Sequence, residues 1–128
     1  MGKTSTKDIQ DFLCQCREII QSNKVVPSNF WFISKKENRD TLLALGFSLQ
    51  DIKYEISNLS LDNYCEGPCD AHEHKDQVWI FGKIMNNREI YIKLCVSDFD
   101  NAGNKIKTLY CLSFHFAQKP MNHPYKRN

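Results

Sequence analysis

The sequence predicts an α+β domain: N-terminal helices packed on a mostly antiparallel sheet that ends in a three-stranded meander. Three observations carry this. Apolar residues recur at helical spacing in the first half. Apolar and polar residues alternate with period two in the last third. Turn-forming residues join the alternating runs, as between antiparallel neighbours. Helices segregated from such a sheet define the α+β class.

The helical half comes first. Ile9, Phe12, Leu13, Cys16, Ile19 and Ile20 form one apolar stripe, which predicts a helix from about Lys7 to Ser22. Ser5 and Asp8 are a capping pair at its start, and Asn23 is its stop. Phe30 to Ile33 reads as a short aromatic strand. Asn38 is suited to cap a second helix holding Leu42, Leu43 and Leu45, with Gly46 as its C-terminal turn. Ser48 and Asp51 suit the start of a third helix through Leu59. From Ser60 to Asp76 the pattern breaks, and Gly67-Pro68 marks a loop.

The strands follow. Val78–Ile84, Glu89–Val96 and Ile106–Phe116 read as three strands. Asn86-Asn87 predicts a tight turn between the first two, because Asn tolerates positive φ. Residues 100–104 predict a looser connection to the third. The chain of 128 residues is thus one domain, residues 1–128, with a helical part at about 6–59 and a sheet at about 77–117.

Composition narrows the function classes. Hydrophobic residues make up 41% and charged residues 25%, enough for a packed core and too apolar for a disordered chain. A net charge of +2 admits an anionic partner but is low for a non-specific nucleic-acid binder. No apolar run of membrane-spanning length occurs, and the polar N-terminus does not read as a signal peptide. The six cysteines then read as reduced thiols of a cytoplasmic protein, with Cys16, Cys95 and Cys111 as small buried residues. Phosphate-binding glycine loops, nucleotide fingerprints and nucleophile elbows are absent from the sequence.

Three groupings could carry chemistry. Along Glu89–Val96, Tyr91 and Lys93 share one face, and an ordinary hairpin register sets them near Cys111 and Ser113, with His115 one step further. Lys can neutralise a phosphate, His can move a proton near neutral pH, and Tyr can orient or stack on a base. Lys83 falls on the opposite face from Tyr91 if the Asn86-Asn87 turn is tight, and on the same face if a bulge intervenes. The second grouping is Cys65, Cys69, His72 and His74, residue types that zinc prefers. Its spacing matches neither common zinc-finger pattern, and a polar loop with incidental cysteines is the preferred reading. The third is the tail, where Lys119, His123, Tyr125, Lys126 and Arg127 could brace an RNA strand by charge and stacking. A solvated terminus is the commoner meaning of such a segment.

These residues carry a family resemblance. Leu59–Pro68, Val78–Lys83, Glu89–Leu94 and Leu112–His115 together resemble the MqsR (motility quorum-sensing regulator) family of bacterial type II toxins, over roughly Leu42 to Pro120. The resemblance implies a RelE-like ribonuclease fold. It also implies metal-independent cleavage of messenger RNA in the cytoplasm, without cofactor, restrained by a cognate antitoxin protein. In that chemistry the ribose 2′-hydroxyl attacks the adjacent phosphate, and the protein positions the strand, moves two protons and stabilises charge. The family's catalytic Tyr falls on Tyr91 and its following Lys on Lys93. Two further family positions differ, with Cys65 in place of Lys and Ile80 in place of Gln. The expected catalytic set is therefore Tyr91, Lys93 and His115, with Lys83, Ser113, Tyr125 and Arg127 expected to bind substrate. The alternative is a non-catalytic RNA- or protein-binding module on the same fold.

Overall fold

The computed structural model describes residues 4–22, 29–71 and 74–127, without the side chain of residue 74. The described residues form an α+β arrangement of three α-helices on a five-stranded mixed sheet. The elements run α1 (Thr6–Ser22), β1 (Phe30–Phe32), α2 (Lys36–Leu45), α3 (Leu49–Ser57), β2 (Tyr64–Ala71), β3 (His74–Met85), β4 (Arg88–Ser97) and β5 (Thr108–Phe116). A 3₁₀ turn at Leu61–Asn63 leads into β2. Strand order across the sheet is β1-β5-β4-β3-β2. β1 runs parallel to β5, and the other neighbours pair antiparallel.

Local chemistry explains most of these elements. In α1 the Asp8 amide donates to Ser5 Oγ at 3.1 Å, and the apolar stripe Ile9, Phe12, Leu13, Cys16 and Ile19 is buried. In α3 Ser48 and Asp51 satisfy each other's backbone amides as a capping box. Gly46 ends α2 at φ 69°, where a Cβ would be strained. Asn86 and Asn87 both have positive φ (51° and 65°), so the β3–β4 turn follows the strands' own twist. The Asn23 stop lies outside the described residues.

Two sequence expectations are corrected. The supposed loop at residues 60–76 contains β2, an edge strand whose pairing with β3 slips three times. Bulges, Gly67 and Pro68 hide such a strand from a period-two search, and Pro belongs on an edge. Asn38 does not cap α2; Lys35 occupies that position. Asn38 is instead fully buried inside the helix. Its amide donates to the carbonyls of Ile33 (2.8 Å) and Leu112 (3.1 Å), and its Oδ1 accepts from the Phe114 amide (3.0 Å). Thr41 accepts from the Phe116 amide at 3.2 Å. Short β1 pairs with β5 only at Leu109 to Cys111, so α2 side chains finish the edge that β1 leaves open.

The main core lies between the helices and one sheet face. Phe81, Phe114, Ile90, Ile92 and Leu94 meet Ile9, Ile52 and Ile56 there, all with no exposed surface. Each such side chain contributes roughly 1.5–3 kcal/mol by leaving water. Phe12 stacks on Trp79 with ring centroids 4.6 Å apart. The opposite face has a smaller apolar cluster of Val78, Cys95, Tyr110 and Leu112. Beyond that cluster this second face turns polar, and the candidate site begins.

Candidate functional site

β4 and β5 set the site. Across their ladder Tyr91 stands opposite His115, and Lys93 opposite Ser113. Cross-strand partners point to the same face, so all four groups share the surface that the helices leave uncovered. Leu112 is then an extra residue on β5, because Leu94 pairs with Cys111. The bulge corrects one expectation: Cys111 turns into the main core with no exposure, while Leu112 joins the smaller cluster.

The Tyr91 and His115 rings stack, with centroids 5.2 Å apart and planes 15° from parallel. His115 Nδ1 lies 3.0 Å from the Phe116 carbonyl oxygen. A carbonyl only accepts, so Nδ1–H donates, and the neutral ring presents a bare Nε2. Lys35, in the connection from β1 to α2, donates from Nζ to Ser113 Oγ at 3.1 Å. Lys35 bonds Ser113 from one side, and Lys93 is the ladder neighbour of Ser113 on the other.

A cleft of about 610 Å³ opens over these groups, lined by Lys35, Tyr91, Lys93, Ser113 and His115 on its floor and by residues 117–122 along one wall. Cys65, Glu66 and Ile80 border it on the β2–β3 side. Lys119 adds a third ammonium, against the carboxylates of Glu37 and Glu66. A second groove of equal volume, between α1 and the far end of the sheet, is lined by Asp8, Asp11 and Asp76 with only Lys75 opposing them. A phosphate would be repelled from that groove and attracted to the cleft.

No family model, curated protein or solved structure matches this chain.

Other expected site residues lie elsewhere. Lys83 pairs with Ile90 in the ladder and so takes the helix-covered face. Its Nζ holds Glu55 Oε1 of α3 at 2.7 Å, with both side chains largely covered. It is a strut between sheet and helix and no part of the cleft. Tyr125 packs on Tyr64 (centroids 5.9 Å apart) and donates to the Thr4 carbonyl at 2.6 Å. Arg127 is exposed beside Asp62, and it lines a small groove with Tyr125 away from the cleft. Tyr125 thus packs on an aromatic partner away from the cleft, whereas Lys119 of the same tail lines the cleft wall.

Only half of the zinc grouping falls on described side chains. Cys65 and Cys69 are free thiols; Cys69 reaches the Val78 carbonyl at 3.6 Å, whereas Cys65 turns to His123. His72 and the His74 side chain lie outside the described residues. Among the described residues no group of three or more His, Cys, Asp or Glu could hold a metal ion. No helix among them is long and apolar enough to cross a membrane.

Sequence reasoning missed two cleft neighbours. Lys35 sits in a connection with no motif, and only the parallel β1–β5 pairing delivers it to Ser113. The sequence places His123 only among tail groups that could brace RNA, with no sign of its sheet partner. His123 Nε2 lies 2.6 Å from Glu89 Oε2, which pins the tail to the sheet. The permissive signal was Gly82, where a Cβ would stand 3.0 Å from the His123 ring and 2.9 Å from Met121 Sδ.

Proposed function

We propose that this protein is an endoribonuclease toxin of the MqsR kind, cleaving messenger RNA by 2′-hydroxyl attack and held in check by a partner antitoxin in the cytoplasm. On this reading the helices and the run of consecutive antiparallel strands form a RelE-like arrangement. One observation carries the proposal: a phenol, an imidazole and two ammonium groups converge on one open cleft. A scissile phosphate seated between Lys93 and Lys35 has its negative charge met from both sides. His115 Nε2, bare in the neutral ring, takes the 2′-hydroxyl proton as the oxygen attacks phosphorus. His115 passes that proton on to the departing 5′-oxygen, and a 2′,3′-cyclic phosphate remains. Tyr91 holds the imidazole plane by stacking and offers its ring to a neighbouring base.

The reaction needs no metal on this reading, because protein ammonium groups do the charge stabilisation. The test is a gel of end-labelled single-stranded RNA incubated with purified, antitoxin-free protein in EDTA. Discrete fragments ending in cyclic phosphate are expected. Intact RNA at micromolar protein, or full activity in a Lys93→Ala, His115→Ala double variant, overturns the proposal. RNA that shifts on a native gel without being cut would mark a binding module on the same surface.

A further inference from the structure

Next to the Tyr91–His115 row a thiol, an imidazole and a carboxylate stand in line. Cys65 Sγ lies 3.6 Å from His123 Nδ1, and Nε2 of the same ring lies 2.6 Å from Glu89 Oε2. An ionised carboxylate only accepts, so Nε2–H donates to Glu89. The neutral ring then presents bare Nδ1 to the thiol. A nucleophile, a base within hydrogen-bond reach and a third group that orients the base form the arrangement that activates cysteines and serines.

Three separate segments build this line: Cys65 on β2, Glu89 on β4 and His123 in the tail after β5. Gly82 of β3 lies beneath them. A Cβ there would come within 3.0 Å of His123 Cε1 and 3.1 Å of Glu89 Oε2, so any side chain would lift the ring away. Both partners of the thiol's line are largely covered, with 13% of the His123 side chain and 20% of Glu89 exposed. Cys65 borders the open cleft, so its sulfur is reachable from the side where Lys93 lies.

We propose that Cys65 is a nucleophilic centre of this protein, activated by His123 and Glu89, and that it accepts the acyl group of a small ester or thioester bound in the cleft. Sγ forms a bond to the carbonyl carbon while its proton passes to His123 Nδ1. The carbonyl oxygen takes up the negative charge of the tetrahedral intermediate. The carbon–oxygen or carbon–sulfur bond then breaks, and His123 returns the proton to the leaving group. Water, deprotonated by the same ring, hydrolyses the acyl-Cys65 thioester and restores the free thiol. Burial, then Glu89 and Glu66, push the Cys65 thiol up to about 12, so the resting sulfur keeps its proton. The base must therefore act during the attack and not before it. The Asn63 carbonyl, 3.7 Å away, is the thiol's other acceptor within reach.

The proposal does not rest on the ribonuclease reading, because acylation is followed at a different atom and without RNA. The full chain is incubated with p-nitrophenyl acetate, and the acetyl group is located by peptide mass spectrometry. Exposed Cys14 serves as the internal control. Cys65 is expected to acquire the acetyl group before Cys14, with release of p-nitrophenol. His123→Ala is expected to slow Cys65 acylation about 10²-fold, the lower range for a positioned base. A purely structural His123 gives the opposite result, since a loosened tail exposes Cys65 and speeds its labelling. Glu89→Gln, close in shape, is the second variant should His123→Ala fail to fold, and it too is expected to slow acylation. Equal labelling of Cys14 and Cys65, or a Cys65 rate unchanged or raised in both variants, overturns the proposal.

Discussion

Tyr91 and His115 face one another across β4 and β5 as stacked rings, 5.2 Å between centroids. The stack does more than fill space. Together with the Nδ1 contact to the Phe116 carbonyl, it fixes both the plane and the tautomer of the imidazole. A ring so held can present Nε2 to substrate with little reorganisation. On the ribonuclease reading His115→Ala is expected to lower RNA cleavage about 10²–10⁴-fold, the range for a lost proton-transfer group. Tyr91→Phe keeps the stack and is expected to retain more activity than Tyr91→Ala, which also loses roughly 0.5–1.5 kcal/mol of ring–ring contact. Single-turnover cleavage and thermal melts of the three variants check this ordering.

Lys35 bonds Ser113 and Lys93 is its ladder neighbour; on the ribonuclease reading each is expected to contact phosphate. Removing either one should weaken RNA binding with little dependence on base sequence. The diagnostic is salt. For single strands each lost contact lowers the slope of log K against log salt by about 0.7. Filter binding of Lys35→Ala and Lys93→Ala over a salt series measures it. A slope unchanged in Lys35→Ala would remove that residue from the interface.

Asn38 is the buried polar hinge between α2 and β5. Its amide satisfies two carbonyls and one backbone N–H that no strand reaches. Asn38→Ala removes this partner from the Leu112 carbonyl and the Phe114 amide, while the Ile33 carbonyl keeps the Lys35 amide at 3.1 Å; the cost is about 1–3 kcal/mol for each unsatisfied group that relaxation does not rescue. A loss of about 2–4 kcal/mol is expected. Urea unfolding should show a lower midpoint with an unchanged slope.

How much of this was legible beforehand depended on whether the determinants were local. The Ser48–Asp51 capping box and the Asn86-Asn87 turn are short-range chemistry, and both stand where the sequence puts them. The stripe Ile9 to Ile19 is buried as its spacing requires. The sharing of one face by Tyr91, Lys93, Ser113 and His115 followed from alternation, although the ladder sets Tyr91 opposite His115 and not near Cys111. What escaped was non-local. β2 is an edge strand, so its bulges and Pro68 cost it no ladder partner on the open side, and its sequence need not alternate. The Leu112 bulge shifts Cys111 across the sheet, and no residue type announces it. Lys35 and His123 reach the cleft through a parallel strand pairing and a returning tail. Neither leaves a periodic trace.

Lys83 offers a clean separation of stability from activity. Its ion pair with Glu55 bridges β3 and α3 at 2.7 Å, and only 27% and 18% of the two side chains are exposed. Lys83→Met leaves Glu55 partly buried without its partner, at an expected cost of about 1–3 kcal/mol. Because Lys83 lies on the face away from the cleft, RNA cleavage at a temperature below the melt should be unaffected. The double variant Lys83→Met, Glu55→Leu should recover much of the loss, since two apolar groups can replace a covered ion pair. A fall in cleavage without a fall in melting temperature would return Lys83 to the substrate site.

Buried thiols set the alkaline limit of the fold. Cys16, Cys95 and Cys111 have no exposed surface. Burial is the foremost cause that pushes all three thiols up, Cys95 to about 12. For an acid whose pKa is raised by folding, the folded state holds its proton while the unfolded chain releases it. Above the unfolded thiol pKa of about 8.5 the unfolded state therefore binds fewer protons, and stability falls as pH rises. The fall begins near pH 8.5 and continues until the folded thiols themselves ionise. By pH 10 each of these thiols is expected to remove about 1–2 kcal/mol. Urea midpoints measured at pH 7, 9 and 10 under reducing conditions should decline over the last two steps. Cys95→Ala should start from a lower midpoint, having lost a buried sulfur, and decline less steeply. A wild-type midpoint flat from pH 7 to pH 10 would mean that the three sulfurs are reached by water.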